Sequence, residues 1–423
     1  MSARSDLHAG AFASEAIAAA HAALRRAEPA SRAFYYYDLD ALGARAERLQ
    51  AAFAPCGALA AYAVKANGLP ALLERLAAAG LGADTGSVGE LALAEAAGFG
   101  PDRRVLNGNG RTPEEAEWVA RHGVHSVNAD HVSELDQLDA AAAAAGARVR
   151  VALRVNPDIE AGGHRYVATG DDEAKFGIAG AEALEALAAA PRWPHLRVDG
   201  IHLHVGSQIL EIATLEAELD VALELVDAAR ARGATVGLVN LGGGFGIDYS
   251  DAGHEFPLER WAAAVASRGA GRGLEWVVEP GRWLVAPIGV IVSEVLHVKQ
   301  RDGRRFVVLA AGMNDLIRPA LYQAVHRIEP VTPRGGARTP ATIVGPVCES
   351  GDTFGAAMEL PPVEPGDLVV IRDAGAYGAS MASNYNGRGR LAEVVSQGGR
   401  LVRARAGETP RDLLARRDAT PLK

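Results

Sequence analysis

The sequence predicts an α/β protein: a (β/α)8 TIM-type barrel followed by a C-terminal, mostly β domain. Three observations carry that prediction. Between residues 34 and 285, short β-prone apolar runs alternate with Ala/Leu/Glu-rich helical stretches, and eight such runs joined by helical crossovers is the number a closed barrel requires. After residue 286 the texture changes to strand-like runs linked by Gly/Pro turns. A chain of 423 residues also exceeds one domain of ordinary size. A doubly wound open sheet would satisfy the same periodicity and stays as the structural alternative.

Taken in order, the first 30 residues read as a helix, Ala-rich around Ala16–Leu24 and stopped by Pro29. Residues 1–33 thus form an N-terminal segment expected to pack near the β domain, ahead of a barrel over 34–285 and a β domain over 286–423. The barrel strands are expected at Ala60–Val64, Leu81–Asp84, Arg104–Asn107, Val124–Asn128, Val149–Asn156, Val198–Val205, Val236–Leu241 and Leu274–Glu279. Helical patterns such as Leu69–Ala79, Val88–Ala97, Pro113–Arg121 and Ile212–Arg232 separate them. Phe34–Asp38 also reads as a strand, which makes nine, so one is surplus or pairs elsewhere. In the β domain the runs are Ile288–Lys299, Arg305–Leu309, Thr342–Gly345, Asp367–Arg372 and Ala392–Val395.

Composition narrows the function. With 49% hydrophobic and 22% charged residues, the chain is an ordinary globular protein, and disorder is excluded as its main state. A net charge of −9 disfavours non-specific adhesion to nucleic acid or to an anionic membrane. Two cysteines, Cys56 and Cys348, make no disulfide framework and point to a reducing compartment. Arg4 is followed by Asp6, Glu15 and His21, which break any secretory apolar run, and no stretch has the length of a membrane span. A soluble, cytoplasmic protein is expected, with Cys56 in the core.

Barrel enzymes carry their chemistry at the C-terminal ends of the strands. Strand one ends in Ala63-Val64-Lys65-Ala66-Asn67. A lysine there either reaches for solvent or, desolvated, has a lowered pKa and bonds a carbonyl. Strand six carries His202 and His204. No nearby carboxylate or cysteine completes a metal set around them, so a flat imidazole over a planar cofactor is the functional reading. His202 is expected to be a packed core histidine. Strand seven ends in Gly242-Gly243-Gly244, where backbone N–H groups can approach an anion, as barrel loops after strands seven and eight commonly do. Strand eight ends in Glu279-Pro280-Gly281-Arg282. An ordinary rim ion pair is one reading; the other is an acid for a protonated ring nitrogen and a guanidinium for a carboxylate or phosphate. A lysine, a histidine face, a phosphate cradle and an acid fit one cofactor, pyridoxal 5'-phosphate.

Longer motifs then show a resemblance. These are YAVKAN around Lys65, GADTGSVGEL from Gly82, RVNPDI from Arg154, KFGI from Lys175 and HLHVGSQI from His202. They continue with NLGGGFGIDY from Asn240, EPGRWLV from Glu279, AGMNDLIRPALY from Ala311, GPVCESGD from Gly345 and DAGAYGASMASNYN from Asp373. Together, from Phe34 to Leu401, they resemble the PLP-dependent decarboxylases of the alanine-racemase fold, and within them most closely the diaminopimelate decarboxylases. The resemblance implies a homodimer whose active sites are shared, each borrowing residues from the partner's β domain. It implies Lys65 as the lysine bonded to the cofactor, His204 as the ring-stacking histidine and Asp84 as the acid near that lysine. Ser207, Gly244, Pro280, Gly281 and Arg282 match the phosphate or substrate contacts, and Glu279 the partner of the pyridine nitrogen. Arg318 and Tyr322 align with substrate-carboxylate contacts, Cys348 with a proton donor, Glu349 with the substrate-ammonium contact and Tyr377 with a cofactor and substrate contact. The chain departs from the pattern at Gly163, before His164, where threonine is usual, and at Arg111, where lysine is commoner.

The implied reaction is decarboxylation of meso-2,6-diaminopimelate to L-lysine and CO2, a step of lysine biosynthesis. The electrons left by CO2 go to the pyridinium ring, and a thiol, mostly protonated at neutral pH, can return a proton to carbon. A decarboxylase of lysine, ornithine or arginine on the same fold is the alternative. Such an enzyme needs no distal carboxylate contact, whereas Arg282 and Arg318 offer carboxylate clamps beside the Glu349 ammonium partner. A racemase would need a second base opposite Lys65, and none is found. A non-enzymatic PLP carrier would resemble an isolated barrel without the β domain.

Overall fold

In a computed structural model the described residues are 12–156, 176–250 and 252–415. They fall into two compact units. One comprises Gly43–Ile247 and His254–Leu284, the other Met1–Leu42, Asp248–Gly253 and Val285–Lys423.

The first unit is a closed barrel of eight parallel strands. They are Leu59–Ala63, Gly82–Thr85, Arg104–Leu106, Ser126–Ala129, Val149–Arg154, Leu196–His202, Leu238–Asn240 and Glu275–Val278, the last pairing with the first. Strands of three to seven residues suffice because both faces are covered, and most of their residues are buried. Ala61, Val105, Ala152, Leu238 and Val277 pack into one buried cluster, filling the interior as a core. The crossovers start where the local chemistry allows. Ser87 accepts a hydrogen bond from the Glu90 amide ahead of helix Val88–Ala96. Thr112 and Glu115 form a capping box with Pro113 in the first turn of Pro113–His122.

The second unit settles the ninth strand. Ala33–Asp38 does not belong to the barrel. It pairs antiparallel with Gly289–Arg301 and parallel with Ala392–Gln397. The barrel boundary expected at residue 34 therefore moves to Gly43. The reason is the strand's own alternation. Phe34 and Tyr36 pack with Ile17, Ala20 and Leu24 of the N-terminal helix Ser14–Ala27 and with Val290, Val292 and Val394. Tyr35 and Tyr37 face the other way, their hydroxyls donating to the Asp315 carbonyl and the Glu393 carboxylate. The sheet also contains Arg304–Leu309, Thr339–Val344, Leu368–Ile371 and Arg400–Arg405, and, beyond the expected strands, Thr353–Leu360 and Ile328–Pro330. Cys56, expected in the core, is only half-buried. Among the described residues no helix is long and apolar enough to cross a membrane.

Candidate active site

Lys65 lies just beyond the first barrel strand, in the single 3-10 turn Val64–Ala66. Asn67 shapes that turn: its carbonyl accepts from the Tyr62 hydroxyl at 2.9 Å and its side chain accepts from the Leu69 amide at 3.0 Å. The lysine side chain is 58% exposed, and its Nζ is 3.8 Å from Oδ2 of buried Asp84. An amine here is open to a reactant while its charge is balanced from one side. Burial and the charge of Glu279 push the Asp84 carboxyl up, against the opposing pull of Lys65 and Asn107.

Glu279 is the centre of the barrel floor. Its Oε1 accepts three side-chain amides: Asn240 at 2.6 Å, Asn107 at 2.9 Å and Asn128 at 3.1 Å. Asn240 closes one strand, Asn107 directly follows another and Asn128 is the last but one residue of a third. Their orientations are fixed in turn, because Asn240 Oδ1 accepts the Gly242 amide and Asn107 Oδ1 accepts from Asn128. Burial opposes the charge on Glu279, but His202, Asn240 and Lys65 outweigh it and hold the carboxyl well below the usual carboxylate range. A buried acid held in its charged form can keep a proton on a basic ring nitrogen brought against it.

The two histidines differ from expectation. Strand six ends at His202, and His204 lies in the segment beyond it. His202 is buried as expected for a core residue, yet its Nε2 is 3.6 Å from Oε2 of Glu279, so it belongs to the polar floor. His204 Nδ1 accepts the Gly243 amide at 3.2 Å, which leaves the neutral ring's proton on Nε2. Burial first, then the charges of Lys65 and His202, lower its pKa to about 4. It presents a neutral, flat ring.

The glycine turn is built for close approach. A Cβ on Gly243 would lie 2.1 Å from the Glu279 carbonyl oxygen, and one on Gly244, at φ +87°, 2.5 Å from that of Gly206; glycine alone fits both. The Ile209 amide donates to Gly244, and the Gly246 amide to Ile209. Arg282 Nη2 donates to Ser207 Oγ at 3.1 Å. Backbone amides, a hydroxyl and a guanidinium around a side-chain-free turn are the donor set a phosphate takes, and with Lys65 and Glu279 they fit pyridoxal phosphate.

Arg318, Tyr322, Cys348, Glu349 and Tyr377 belong to the sheet unit. Pro319 after Arg318 favours extended backbone at the arginine. It instead opens the single helical turn Arg318–Tyr322, since proline in a first turn sacrifices only an amide that has no helical acceptor. It is buried, not a surface ion-pair member, and Tyr322 is exposed. Cys348 is exposed, and its amide donates to Asn386 Oδ1 at 3.1 Å. Asp352 ties down the preceding loop by accepting the Met313 and Val347 amides. Glu349 accepts the Tyr385 hydroxyl at 3.2 Å. Tyr377 sits at φ +56°, a conformation that side chains other than glycine rarely take.

Sequence reasoning did not single out Asn107, Asn128, Asn240, Asp352 or Tyr385. The first three were findable, since each is a polar residue at the end of an apolar strand, the same signal that marks Lys65. Gly163, His164 and Lys175 lie outside the described residues. Arg111, the other departure, donates to Glu134 at 2.9 Å.

Residues 39–286 match the family described as pyridoxal-dependent decarboxylase, pyridoxal binding domain. The diaminopimelate decarboxylase of Neisseria meningitidis serogroup A is 43% identical over 90% of this chain and 94% of its own. Among solved structures, the M. jannaschii diaminopimelate decarboxylase in complex with L-lysine superposes with a TM-score of 0.87 at 33% identity, over 94% of each chain. The Helicobacter pylori enzyme complexed with L-lysine does so at 0.84 and 36%, over 90% of this chain and 96% of its own. With its barrel, its Glu279 floor and these relatives, the chain belongs to the pyridoxal-dependent decarboxylases, in the diaminopimelate decarboxylase family.

Proposed function

We propose that this chain is a PLP-dependent carboxy-lyase that converts meso-2,6-diaminopimelate to L-lysine and CO2. The observation that carries the reading is the ionised, triply hydrogen-bonded Glu279 at the floor of a barrel whose rim offers an amine and an anion cradle. The relatives solved with L-lysine support the product.

When bound, pyridoxal 5'-phosphate supplies an electron sink for the pair left by departing CO2. Lys65 would hold its aldehyde carbon and Asp84 would balance the lysine. The Gly244 and Gly281 backbone, the Ser207 hydroxyl and Arg282 would hold its phosphate, with Pro280 stiffening the turn and Tyr377 as a further contact. Neutral His204 would support the ring without competing for its proton. Glu279, its carboxyl held well below the usual carboxylate range, would keep that proton on the ring nitrogen. The Cys348 Sγ would supply the proton that replaces CO2 on the substrate carbon, so one proton is consumed per CO2 released. Arg318, with Tyr322, would clamp the distal carboxylate, and Glu349 the distal ammonium. We further infer a cytoplasmic homodimer in which Cys348, Glu349 and Tyr377 serve the partner's barrel.

The test is CO2 release by the purified protein with PLP and, separately, meso-diaminopimelate, lysine, ornithine and arginine. Turnover is expected with diaminopimelate. Equal or faster release from any of the other three would refute the substrate assignment.

A further inference from the structure

His326 takes no part in the chemistry above, yet it is fully buried beside Arg318. Its Nδ1 lies 2.8 Å from the Arg372 carbonyl and its Nε2 lies 2.8 Å from Nη1 of Arg318. A carbonyl can only accept and a guanidinium can only donate. The ring is therefore neutral, with its proton on Nδ1 and its Nε2 lone pair on the arginine. Tyr249 completes the setting. The Arg318 guanidinium carbon lies 4.6 Å from its ring centroid, and the same ring meets His326 at 5.1 Å and an interplanar angle of 69°.

We propose that His326 is the positioning residue that aims Arg318, and that its neutral state sets the preference for a substrate with a distal carboxylate; this rests on the role given to Arg318 above. A guanidinium is planar, so anchoring one N–H on imidazole and one face on a phenol ring decides where its remaining donors point. Arg318 is thereby ordered before substrate arrives, and binding loses less side-chain entropy. Protonation of Nε2 would set N–H against N–H and cation against cation. Arg327 and the Arg372 guanidinium are further cations, and the nearby carboxylates Asp373 and Glu329 already face those two arginines. Acid therefore releases Arg318, and the KM for diaminopimelate rises on the acidic limb.

The holoenzyme and its His326→Phe, His326→Gln and Arg318→Ala variants are compared in steady-state kinetics with meso-diaminopimelate from about pH 5.5 to 8.5, with bound PLP measured by absorbance. His326→Phe lacks the acceptor and should raise KM about 10-fold at every pH, with kcat and PLP content within about twofold. His326→Gln supplies an acceptor oxygen that does not titrate; KM should stay near wild type while the acidic rise disappears. An acidic rise retained in His326→Gln would overturn the proposal, even if His326→Phe fails to fold. So would a His326→Phe enzyme that loses PLP and kcat at unchanged KM. Arg318→Ala with normal KM would overturn the reading of Arg318 itself. Raised KM in Arg318→Ala beside unaffected His326 variants would overturn only the role of His326.

Discussion

Glu279→Gln isolates one charge in an otherwise unchanged floor. The glutamine carbonyl can accept the same three amides that reach Oε1 from Asn107, Asn128 and Asn240. Its amide nitrogen takes the place of Oε2, 3.6 Å from His202 Nε2. Shape and hydrogen bonding survive, so the barrel should still fold, at a melting temperature lowered by the loss of the charge that His202 and Lys65 favour. The ion pair with the protonated ring nitrogen is lost. Removing one partner of a buried, hydrogen-bonded charge pair costs about 2–5 kcal/mol. If that energy is expressed in the step that loads electrons onto the ring, kcat falls roughly 30- to 5000-fold. The assay is CO2 release from meso-diaminopimelate at saturating PLP, with cofactor absorbance per chain confirming full occupancy and thermal melting confirming the fold. A fully loaded Glu279→Gln enzyme with kcat within about threefold of wild type would refute the assignment of Glu279 as the partner of the ring nitrogen.

Lys65→Ala should lose activity and any borohydride-trappable PLP adduct; an adduct surviving in the variant would show that another amine holds the cofactor. Inactive Lys65→Ala and Cys348→Ala chains, mixed and exchanged, should regain about a quarter of wild-type activity, because one site in each mixed dimer is complete; no recovery after proven exchange means a site built from one chain. His204, its pKa lowered to about 4 by burial and by Lys65 and His202, refuses a proton that the unfolded chain accepts near 6.5. Its contribution to stability therefore falls as pH drops from about 6.5 toward 4. His204→Phe should then lose less denaturation midpoint than wild type between about pH 7.5 and 5, and equal losses would count against a neutral His204. Arg318→Lys, which cannot reproduce the planar fork, should lower kcat/KM for meso-diaminopimelate at least roughly 30-fold, with PLP binding intact as the check on folding.

Much of the barrel was legible because its signals are local. Each strand is a short, mostly buried run, some helices begin at a cap or a proline such as Thr112-Pro113, and the rim residues stand next to the runs they terminate. Lys65, Gly243, Gly244 and Glu279 can be picked out by that adjacency alone. The conformation of Arg318 is not legible in this way, because the bias of a residue before proline toward extended backbone is weak. The helical turn Arg318–Tyr322 overrode it by placing Pro319 where no amide is needed.

What the sequence by itself determined is therefore periodicity and chemistry at single positions: eight barrel strands, a β-rich remainder, an amine, a cradle and an acid. Tertiary structure alone decided which distant segments meet. Ala33–Asp38 has the pattern of any buried strand, and only pairing with Gly289–Arg301 and Ala392–Gln397 excludes it from the barrel, since backbone hydrogen bonds carry no mark of their partner. Likewise Asn107, Asn128 and Asn240 each stand near a strand end, with nothing in the sequence to show that they meet. Closure of the barrel turns them onto one oxygen of Glu279, and His202 first, then Asn240 and Lys65, outweigh the desolvation that opposes its charge. The ionisation state at the heart of the site is a sum over residues far apart in the chain, and it exists only once the chain is folded.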